Sequence, residues 1–478
     1  MVVAREAQGH INVVDRIRER VVLGAGLDDE GRLTDDVQER ALACIRRFGQ
    51  RVRDLPPENV RAVGTNALRA AKNARSFLVR AERALGHAIE VIPGREEARL
   101  IYLGVAHAEP GTAGQRLVVD IGGGSTEVIV GERFEPLRTD SLYMGCVSWT
   151  RKYFGDGRIT RKAMRRARIA ARLEVQTIAR ATRALGWDEV LGASGTILAI
   201  DGALRASGRG DRGITLEGLE WLADEAIRAG RIDRIDVPSL EPERAEVLPG
   251  GLAILLALFD GLRIDRMRAT PGALREGVLH DLIGRFRHDD VRDHTIRGFA
   301  RRHHVDEEQA ARVERSALRL LASVERTWHL RGDEPRAFLS WAARLHEVGL
   351  AVAYAGHHKH GEYLLRNSDM PGFSRQDQEV VATVVRWHRR KIERSGFDAL
   401  PAPLSEMAFR LCLLLRLAVR LHRSRSSRRA PDVRLRGGNG TFTLRFPKGW
   451  LDRHPLTRAD LAEESQELDA AGISLGVR

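Results

Sequence analysis

Eleven residues, Leu117-Val-Val-Asp-Ile-Gly-Gly-Gly-Ser-Thr-Glu127, bring an aspartate, three glycines, two hydroxyls and a glutamate into one short stretch. Glycines let a backbone approach an anion closely, and successive N–H groups in such a turn cradle phosphate oxygens. Gly122, Gly123, Gly124, Ser125 and Thr126 are therefore candidate phosphate ligands. Asp120 and Glu127, one on each arm, are the pair expected to hold a hard divalent cation. The alternative is an ordinary glycine-rich hairpin turn, which leaves the flanking acids and hydroxyls unexplained. A second constellation, Pro93-Gly-Arg-Glu-Glu-Ala-Arg-Leu100, places Glu96 and Glu97 at a helix start. Acids are favoured there by the helix dipole alone, and adjacent side chains diverge by about 100°, so only one of the two easily faces a shared site. Gly64-Thr-Asn-Ala-Leu-Arg69, Gly192-Ala-Ser-Gly-Thr196 and Pro271-Gly-Ala-Leu-Arg-Glu-Gly277 are further small-residue loops. Each alone marks a turn; their weight comes from occurring together.

The elements that must position these residues alternate. Met1–Asp28 reads as two strands, Met1–Arg5 and, after a turn around Gly9-His10, Ile11–Ile17 with Val21-Val-Leu. Asp35–Arg53 has helical apolar spacing, and Val60–Gly64 is a strand feeding a helix that runs to Leu85. A strand at Ile89 and a helix opening near Arg95 complete a βαβα rhythm, which implies an α/β layer. A second α/β block contains strands at Gln115–Ile121, Thr126–Gly131 and Glu189-Val-Leu-Gly. Strand signals stop at Arg285-Phe-Arg-His-Asp-Asp, and Val291–Leu421 is helical, with amphipathic runs at Glu314–Trp328, Ala337–Leu350 and Leu404–Leu421. The loop His422–Pro431 leads to a hairpin, Val433–Arg436 and Thr441–Phe446, turned at Gly437–Gly440.

A chain of 478 residues, 43% hydrophobic and 30% charged, has length for two to four domains and is not disordered as its main state. Its longest apolar run, Leu252–Phe259, is far short of the roughly 20 residues of a membrane span, and no signal peptide pattern opens the chain, so a cytoplasmic location is expected. Cys44, Cys146 and Cys412 have no metal-ligand spacing and read as buried hydrophobes. The net charge is +13, carried by 72 arginines and only six lysines, and it favours a polyanionic partner such as a phosphate polymer, nucleic acid or anionic lipid.

In their order along the chain, Gly64–Arg69, Glu96–Ile101, Asp120–Glu127, Met144-Gly-Cys-Val-Ser148, Gly192–Ile197 and Gly272–Gly277 resemble the exopolyphosphatase and guanosine pentaphosphate phosphohydrolase family. The resemblance continues through Arg285–Val291, Leu345-His-Glu-Val-Gly349 and Asn367-Ser-Asp-Met-Pro-Gly-Phe373. It implies an α/β fold of two ribonuclease H-like domains of the actin/sugar kinase superfamily, residues 1–100 and 101–285, with the active site in the cleft between them. An all-α His-Asp-like domain, 286–425, and a small β-containing C-terminal domain, 426–478, follow. By the same resemblance Glu97 is the base that activates water, Asp120 and Glu127 serve Mg2+ and the reacting phosphate, and Arg69 clamps phosphate with its bidentate fork.

The implied activity is release of orthophosphate from the end of inorganic polyphosphate. Gly122–Gly124, Gly64-Thr65 and Arg386-Trp-His-Arg-Arg390 favour that branch. Guanosine pentaphosphate hydrolysis is the runner-up, and a non-catalytic polyanion-binding protein is the reading from a different class. A homodimer without a membrane span, cytoplasmic or peripheral to the inner membrane, is the further expectation. In the helical region His346 is followed by Glu347 where a His-Asp metal site has aspartate, so no independent metal centre is expected. His357-His-Lys-His360 could ligate metal or touch phosphate; an exposed polar loop is the favoured reading, and the cluster is kept as a candidate polymer contact only. Family members open with a strand and a phosphate loop of the type Asp-Leu-Gly-Ser-Asn-Ser, which precedes a strand resembling Met1–Arg5. The expectation is therefore a late start, with Met1 an internal methionine and that loop encoded upstream.

Overall fold

The computed structural model describes every residue except 8–9, 20, 29, 110–113, 212, 287–289, 427–430 and 439. The turn expected at Gly9-His10, the segment following Phe286, the centre of the His422–Pro431 loop and the tip of the Gly437–Gly440 turn thus fall in part outside the described residues. The chain divides into two compact units, Met1–Asp289 and Asp290–Arg478.

The first unit opens with a hairpin of β1 (Val2–Ala7) and β2 (His10–Arg16). The second strand ends at Arg16, and the strand signal at Val21-Val-Leu instead leads into a 3-10 turn, Leu23–Gly26. Helix α1 (Asp35–Val52) follows, then β3 (Ala62–Gly64), α2 (Asn66–Ala70), α3 (Ala74–Leu85) and β4 (Ile89–Val91). The helix expected to run unbroken to Leu85 is interrupted between α2 and α3. Asn73 explains the break: its side-chain amide donates to the Leu33 carbonyl and its oxygen accepts the Leu33 N–H, at 2.9 and 2.8 Å. Strands β3 and β4 pair in parallel.

Helix α4 (Gly94–Ala108) leads into the main sheet, so the boundary expected at residue 100 falls inside a continuous helix. The sheet contains β5 (Gln115–Ile121), β6 (Thr126–Glu132), β7 (Glu135–Leu142), β8 (Glu189–Ala193), β9 (Ile214–Thr215) and β10 (Arg266–Ala269), in the order β7-β6-β5-β8-β10-β9. β5, β8 and β10 run parallel, while β6, β7 and β9 are antiparallel to their neighbours. Between and after the strands come α5 (Cys146–Phe154), α6 (Arg161–Leu185), α7 (Gly195–Ala206), α8 (Leu216–Ala229), the short α9 (Pro242–Ala245), α10 (Leu248–Leu262) and α11 (Leu274–Phe286).

Strand periodicity sorts the core into two layers. Leu117, Val119, Val128 and Val130 face the buried α10 and its neighbours, whereas Val118, Ile129 and Leu191 face Ala98, Tyr102 and Val105 of α4. Asp120 and Glu127 share the parity of Val118 and Ile129, so both carboxylates lie on the α4 side. The apolar run that ends at Phe259 is a helix buried on all sides; among the described residues no helix is long and apolar enough to cross a membrane.

Glycines set how closely α11 approaches α4. A Cβ on Gly277 would stand 1.7 Å from the Leu100 carbonyl oxygen, and one on Gly104 would stand 2.1 Å from that of Ala273. The Gly272–Gly277 motif is therefore a backbone-to-backbone helix crossing, and it holds the helix that carries Glu97. We expect Gly277→Ala to cost about 1–3 kcal/mol or more, since a methyl group cannot enter without moving a backbone. Urea unfolding checks this: an unchanged midpoint would contradict the crossing.

The second unit holds α12 (Val291–Arg302), α13 (Glu307–Val324), α14 (Asp333–Leu345), α15 (His357–Asn367), α16 (Arg375–Trp387) and α17 (Ala402–Leu421). The first two amphipathic runs anticipated in this region begin seven and four residues into α13 and α14 and overshoot their ends by four and five. A three-stranded sheet, β11 (Arg434–Gly438), β12 (Thr441–Arg445) and β13 (Ser474–Val477), and helix α18 (Pro455–Asp469) complete the unit. The expected hairpin is β11–β12, while β13, parallel to β12, had no separate sequence signal. Leu435, Phe442, Leu444 and Leu461 join the same apolar core as the helices. The buried Arg416 of α17 reinforces that junction through Glu464 and Glu467 of α18, at 2.5 and 2.6 Å.

Candidate active site

The ladder between β5 and β6 sets Asp120 directly opposite Glu127. Two carboxylates on one face at paired positions repel, which a strand pair ordinarily avoids. The glycine turn between them closes through the Gly122 N–H, which donates to the Ser125 carbonyl at 2.9 Å. Its own carbonyls are taken by the start of α5: Cys146 N–H donates to Gly122 O at 2.9 Å, and the Val147 and Ser148 N–H groups donate to Gly123 O at 3.0 and 3.1 Å. Peptide planarity then turns the N–H groups of Gly123 and Gly124 away from α5. Two of these donors in succession make an anion-binding concavity.

Neighbouring motifs converge on the turn. A Cβ on Gly145 would lie 2.4 Å from the Gly123 carbonyl carbon, and one on Gly124 would lie 2.3 Å from Asn66 Oδ1. The Thr126 hydroxyl donates to the Met144 carbonyl at 2.6 Å, and Ser125 and Thr126 are both buried. The hydroxyl proton of Thr126 therefore anchors the turn. At the end of β8, Ala193 pairs with Asp120, and Ser194 follows at φ 97° and ψ 152°, a conformation nearly reserved for glycine that costs about 1–3 kcal/mol. Its side chain caps α7 by accepting the Ile197 N–H at 3.2 Å. Beside it, a Cβ on Gly195 would lie 2.3 Å from Arg244 Nη2. Arg244 was not a sequence candidate, since nothing near it in the chain sets it apart from the other arginines.

Helix α4 supplies the third carboxylate. Arg69 Nη1 donates to Glu97 Oε2 at 2.9 Å and to the Ile92 carbonyl at 2.8 Å. Glu96 points elsewhere, into a bidentate pair with Arg99 at 2.8 Å. The choice that helix geometry left open thus resolves to Glu97. Burial pushes the Glu97 carboxyl above its ordinary range, opposed by Arg69 and the Thr65 hydroxyl. Asp120 is pushed up to about 7 by burial and then by the Glu97 charge. Glu127 is pushed well up by burial and by both other carboxylates, against the Ser125 and Ser141 hydroxyls, the latter donating to Oε1 at 2.9 Å.

Fully ionised, these three acids would carry more negative charge than Arg69 neutralises, and burial without that compensation lifts their carboxyls, which is the electrostatic demand of a cation site. Among the described residues no three His, Cys, Asp or Glu side chains form a ready-made metal cluster. Two carboxylates, Asp120 and Glu127, nevertheless fit Mg2+, which usually takes one or two carboxylates and completes its shell with water and substrate phosphate.

The histidine-rich segment of the second unit departs from expectation. His357–His360 opens helix α15, and His357 and His358 are buried instead of lying in an exposed loop. Their rings and that of His346 surround buried His388, with centroids 5.8, 6.4 and 5.5 Å from it. Backbone carbonyls satisfy three of the four rings: Nδ1 of His346, His357 and His388 donates to the Ala343, Tyr354 and Val385 carbonyls at 2.7, 3.2 and 2.6 Å, whereas the buried Nδ1 of His358 has no hydrogen-bond partner among the described residues. With its Nδ1 donating, His357 accepts from Arg389 Nη1 at Nε2, at 3.3 Å.

Burial, then neighbouring positive charge, holds His388 well below the ordinary histidine value of 6.5, and burial likewise lowers the other three, His358 to about 4. The unfolded chain therefore binds more protons below pH 6.5, so this stability is complete above that pH and is lost as pH falls toward 4. We expect His388→Gln, which cannot charge, to flatten the decline of the melting temperature between pH 7.5 and 5. Parallel wild-type and variant curves would contradict this.

Comparison with known proteins gives the family. Residues 2–286 match the sequence model of the Ppx/GppA phosphatase family, and residues 291–465 match that of Ppx/GppA phosphatase, domain III. The crystal structure of the Aquifex aeolicus member of the Ppx/GppA protein family is 26% identical over 60% of this chain and 94% of its own, with a TM-score of 0.50. An exopolyphosphatase-like protein is 25% identical over 58% of this chain and 94% of its own, with a TM-score of 0.51. An exopolyphosphatase from Cytophaga hutchinsonii, 22% identical over 59% of this chain and 94% of its own, shares the fold at a TM-score of 0.52. The two sequence models run in succession over most of the chain, one on each compact unit, and on that ground the chain belongs to the Ppx/GppA phosphatase family.

Proposed function

We propose that this chain is an exopolyphosphatase, hydrolysing the terminal phosphoanhydride bond of inorganic polyphosphate with Mg2+ and releasing orthophosphate. The observation that carries the reading is the face-to-face pair Asp120 and Glu127 beside Glu97, on a turn whose glycine N–H groups face away from α5. Membership of a phosphatase family and the resemblance to exopolyphosphatase-like proteins support it.

Glu97, raised by burial and held by Arg69, accepts a proton from the attacking water as the oxygen–phosphorus bond forms, and that proton passes to the shortened chain as the bridging bond breaks. Arg69 and the N–H groups of Gly123 and Gly124 orient the terminal phosphate, with Gly122, Ser125 and Thr126 shaping the turn. When bound at Asp120 and Glu127, Mg2+ supplies positive charge to the non-bridging oxygens. We further read the first unit as two ribonuclease H-like halves that share this site.

Guanosine pentaphosphate offers the same terminal bond, so the discriminating experiment compares phosphate release from long polyphosphate and from that nucleotide. The expected outcome is a higher kcat/KM for the polymer, with affinity that rises with chain length and falls steeply with salt, as for other polyanions held by many arginines. Preference for the nucleotide, or indifference to chain length, would overturn the polymer assignment.

A further inference from the structure

We propose that Asp281 of α11 is a positioning residue for hydrolysis: through Arg99 it fixes the rotation of the first turn of α4, and thereby aims Glu97 into the site. The proposal rests on Glu97 being the base.

Asp281 is buried at the centre of an ion network that the reaction itself does not use. One carboxylate oxygen accepts from Arg99 Nη2, and the other accepts from Arg61 Nη1 at 2.6 Å and Arg285 Nε at 3.3 Å. Arg99 in turn holds both oxygens of Glu96 at 2.8 Å, and Arg61 continues to Glu90 of β4 at 3.1 Å. The cluster therefore ties β4, the segment entering β3 and α11 to one side of the start of α4. Three arginines around it hold the Asp281 carboxyl down at about 2 despite its burial, so it stays charged in any working buffer.

The geometry gives this cluster a directional effect. Glu96 and Arg99 lie on the same helix and turn with it, so the contact that sets the rotation of α4 is Arg99 reaching Asp281 of α11; with that contact kept, Glu97, about 100° round from Glu96, faces Arg69. The close crossing at Gly104 and Gly277 fixes the distance between α4 and α11, but a smooth backbone contact does not by itself fix rotation. The Asp281–Arg99 contact does. Buried ion clusters add little net stability over apolar packing of equal volume, so orientation is the larger consequence of this one. Misaiming a reacting group by about 1 Å costs up to a hundredfold in rate.

The test is a double-mutant cycle on the full chain, with polyphosphate and Mg2+. Asp281→Asn and, separately, Arg99→Lys, which keeps charge but loses the fork, should each lower kcat about tenfold or more with KM changed less than about twofold. In a Glu97→Gln background neither should lower residual turnover further, because a residue acting only through Glu97 has nothing left to act on. If Asp281→Asn does not fold, Arg99→Lys carries the same cycle. Additive losses, or a normal kcat in a folded variant, overturn the positioning role. Normal turnover in Glu97→Gln alone instead overturns the underlying assignment of the base.

Discussion

Glu97→Gln lowers phosphate release by about a hundredfold or more while polymer binding survives. The expectation follows from what the amide keeps and loses. Glutamine has the shape of glutamate and still accepts the Arg69 hydrogen bond, but it cannot take a proton from water, and general-base catalysis contributes about 10²–10⁴ in rate. Binding should not fall, because Arg69 loses its neutralising partner and becomes more attractive to a polyanion. Glu96 offers no rescue, since both of its oxygens are held by Arg99. Equilibrium binding and steady-state phosphate release on one preparation separate the two effects. A variant with near-normal turnover would remove Glu97 from the role.

Asp120→Asn should produce opposite changes in stability and activity. In the absence of metal, the folded chain holds two buried carboxylates at paired ladder positions, and burial followed by the Glu97 charge pushes Asp120 up to about 7. A carboxyl raised above its unfolded value near 4 stabilises the fold only while it is protonated. That contribution is present below about pH 4 and is lost as pH rises through about 7. Asparagine removes this cost. In EDTA at pH 8 the variant should melt at least about 2 °C higher than wild type, and the gap should close toward pH 4. Adding Mg2+ should raise the wild-type melting temperature and leave the variant nearly unchanged, because only a ligand bound to the folded state shifts it. Turnover should fall about a hundredfold. A variant destabilised in EDTA at pH 8, or one that responds to Mg2+ as wild type does, would contradict the cation site.

What the sequence revealed depended on how local the determinants were. The strand, glycine turn and strand at Gln115–Glu132 were legible because apolar β-branched runs flank three glycines, and both acids fall within that window. Strand β7 was missed because it lies at the sheet edge, where Glu135-Pro-Leu-Arg-Thr-Asp-Ser-Leu142 has no buried face continuous enough to read. The break between α2 and α3 is made by Asn73 reaching Leu33, forty residues away. Glu96 and Glu97 are equivalent in sequence and are told apart only by Arg99 and Asp281 on one side and Arg69 on the other. Arg244 reaches the site from a segment with no motif of its own. The histidines at 357 and 358 looked exposed because their run is polar, yet both are buried against His388, and His357 donates to the Tyr354 carbonyl. Apart from β7, these features are set by long-range partners invisible to spacing and periodicity.

The central claim is that water attacks a terminal phosphorus at the site built on Asp120, Glu127 and Glu97. Its most direct test is hydrolysis of long polyphosphate in ¹⁸O-labelled water with Mg2+, with the released phosphate read by mass. Orthophosphate should leave the chain ends, each carrying one solvent oxygen, with the signal lost in Glu97→Gln. Phosphate release no higher than in the protein-free control, from polyphosphate and guanosine pentaphosphate alike, would contradict it.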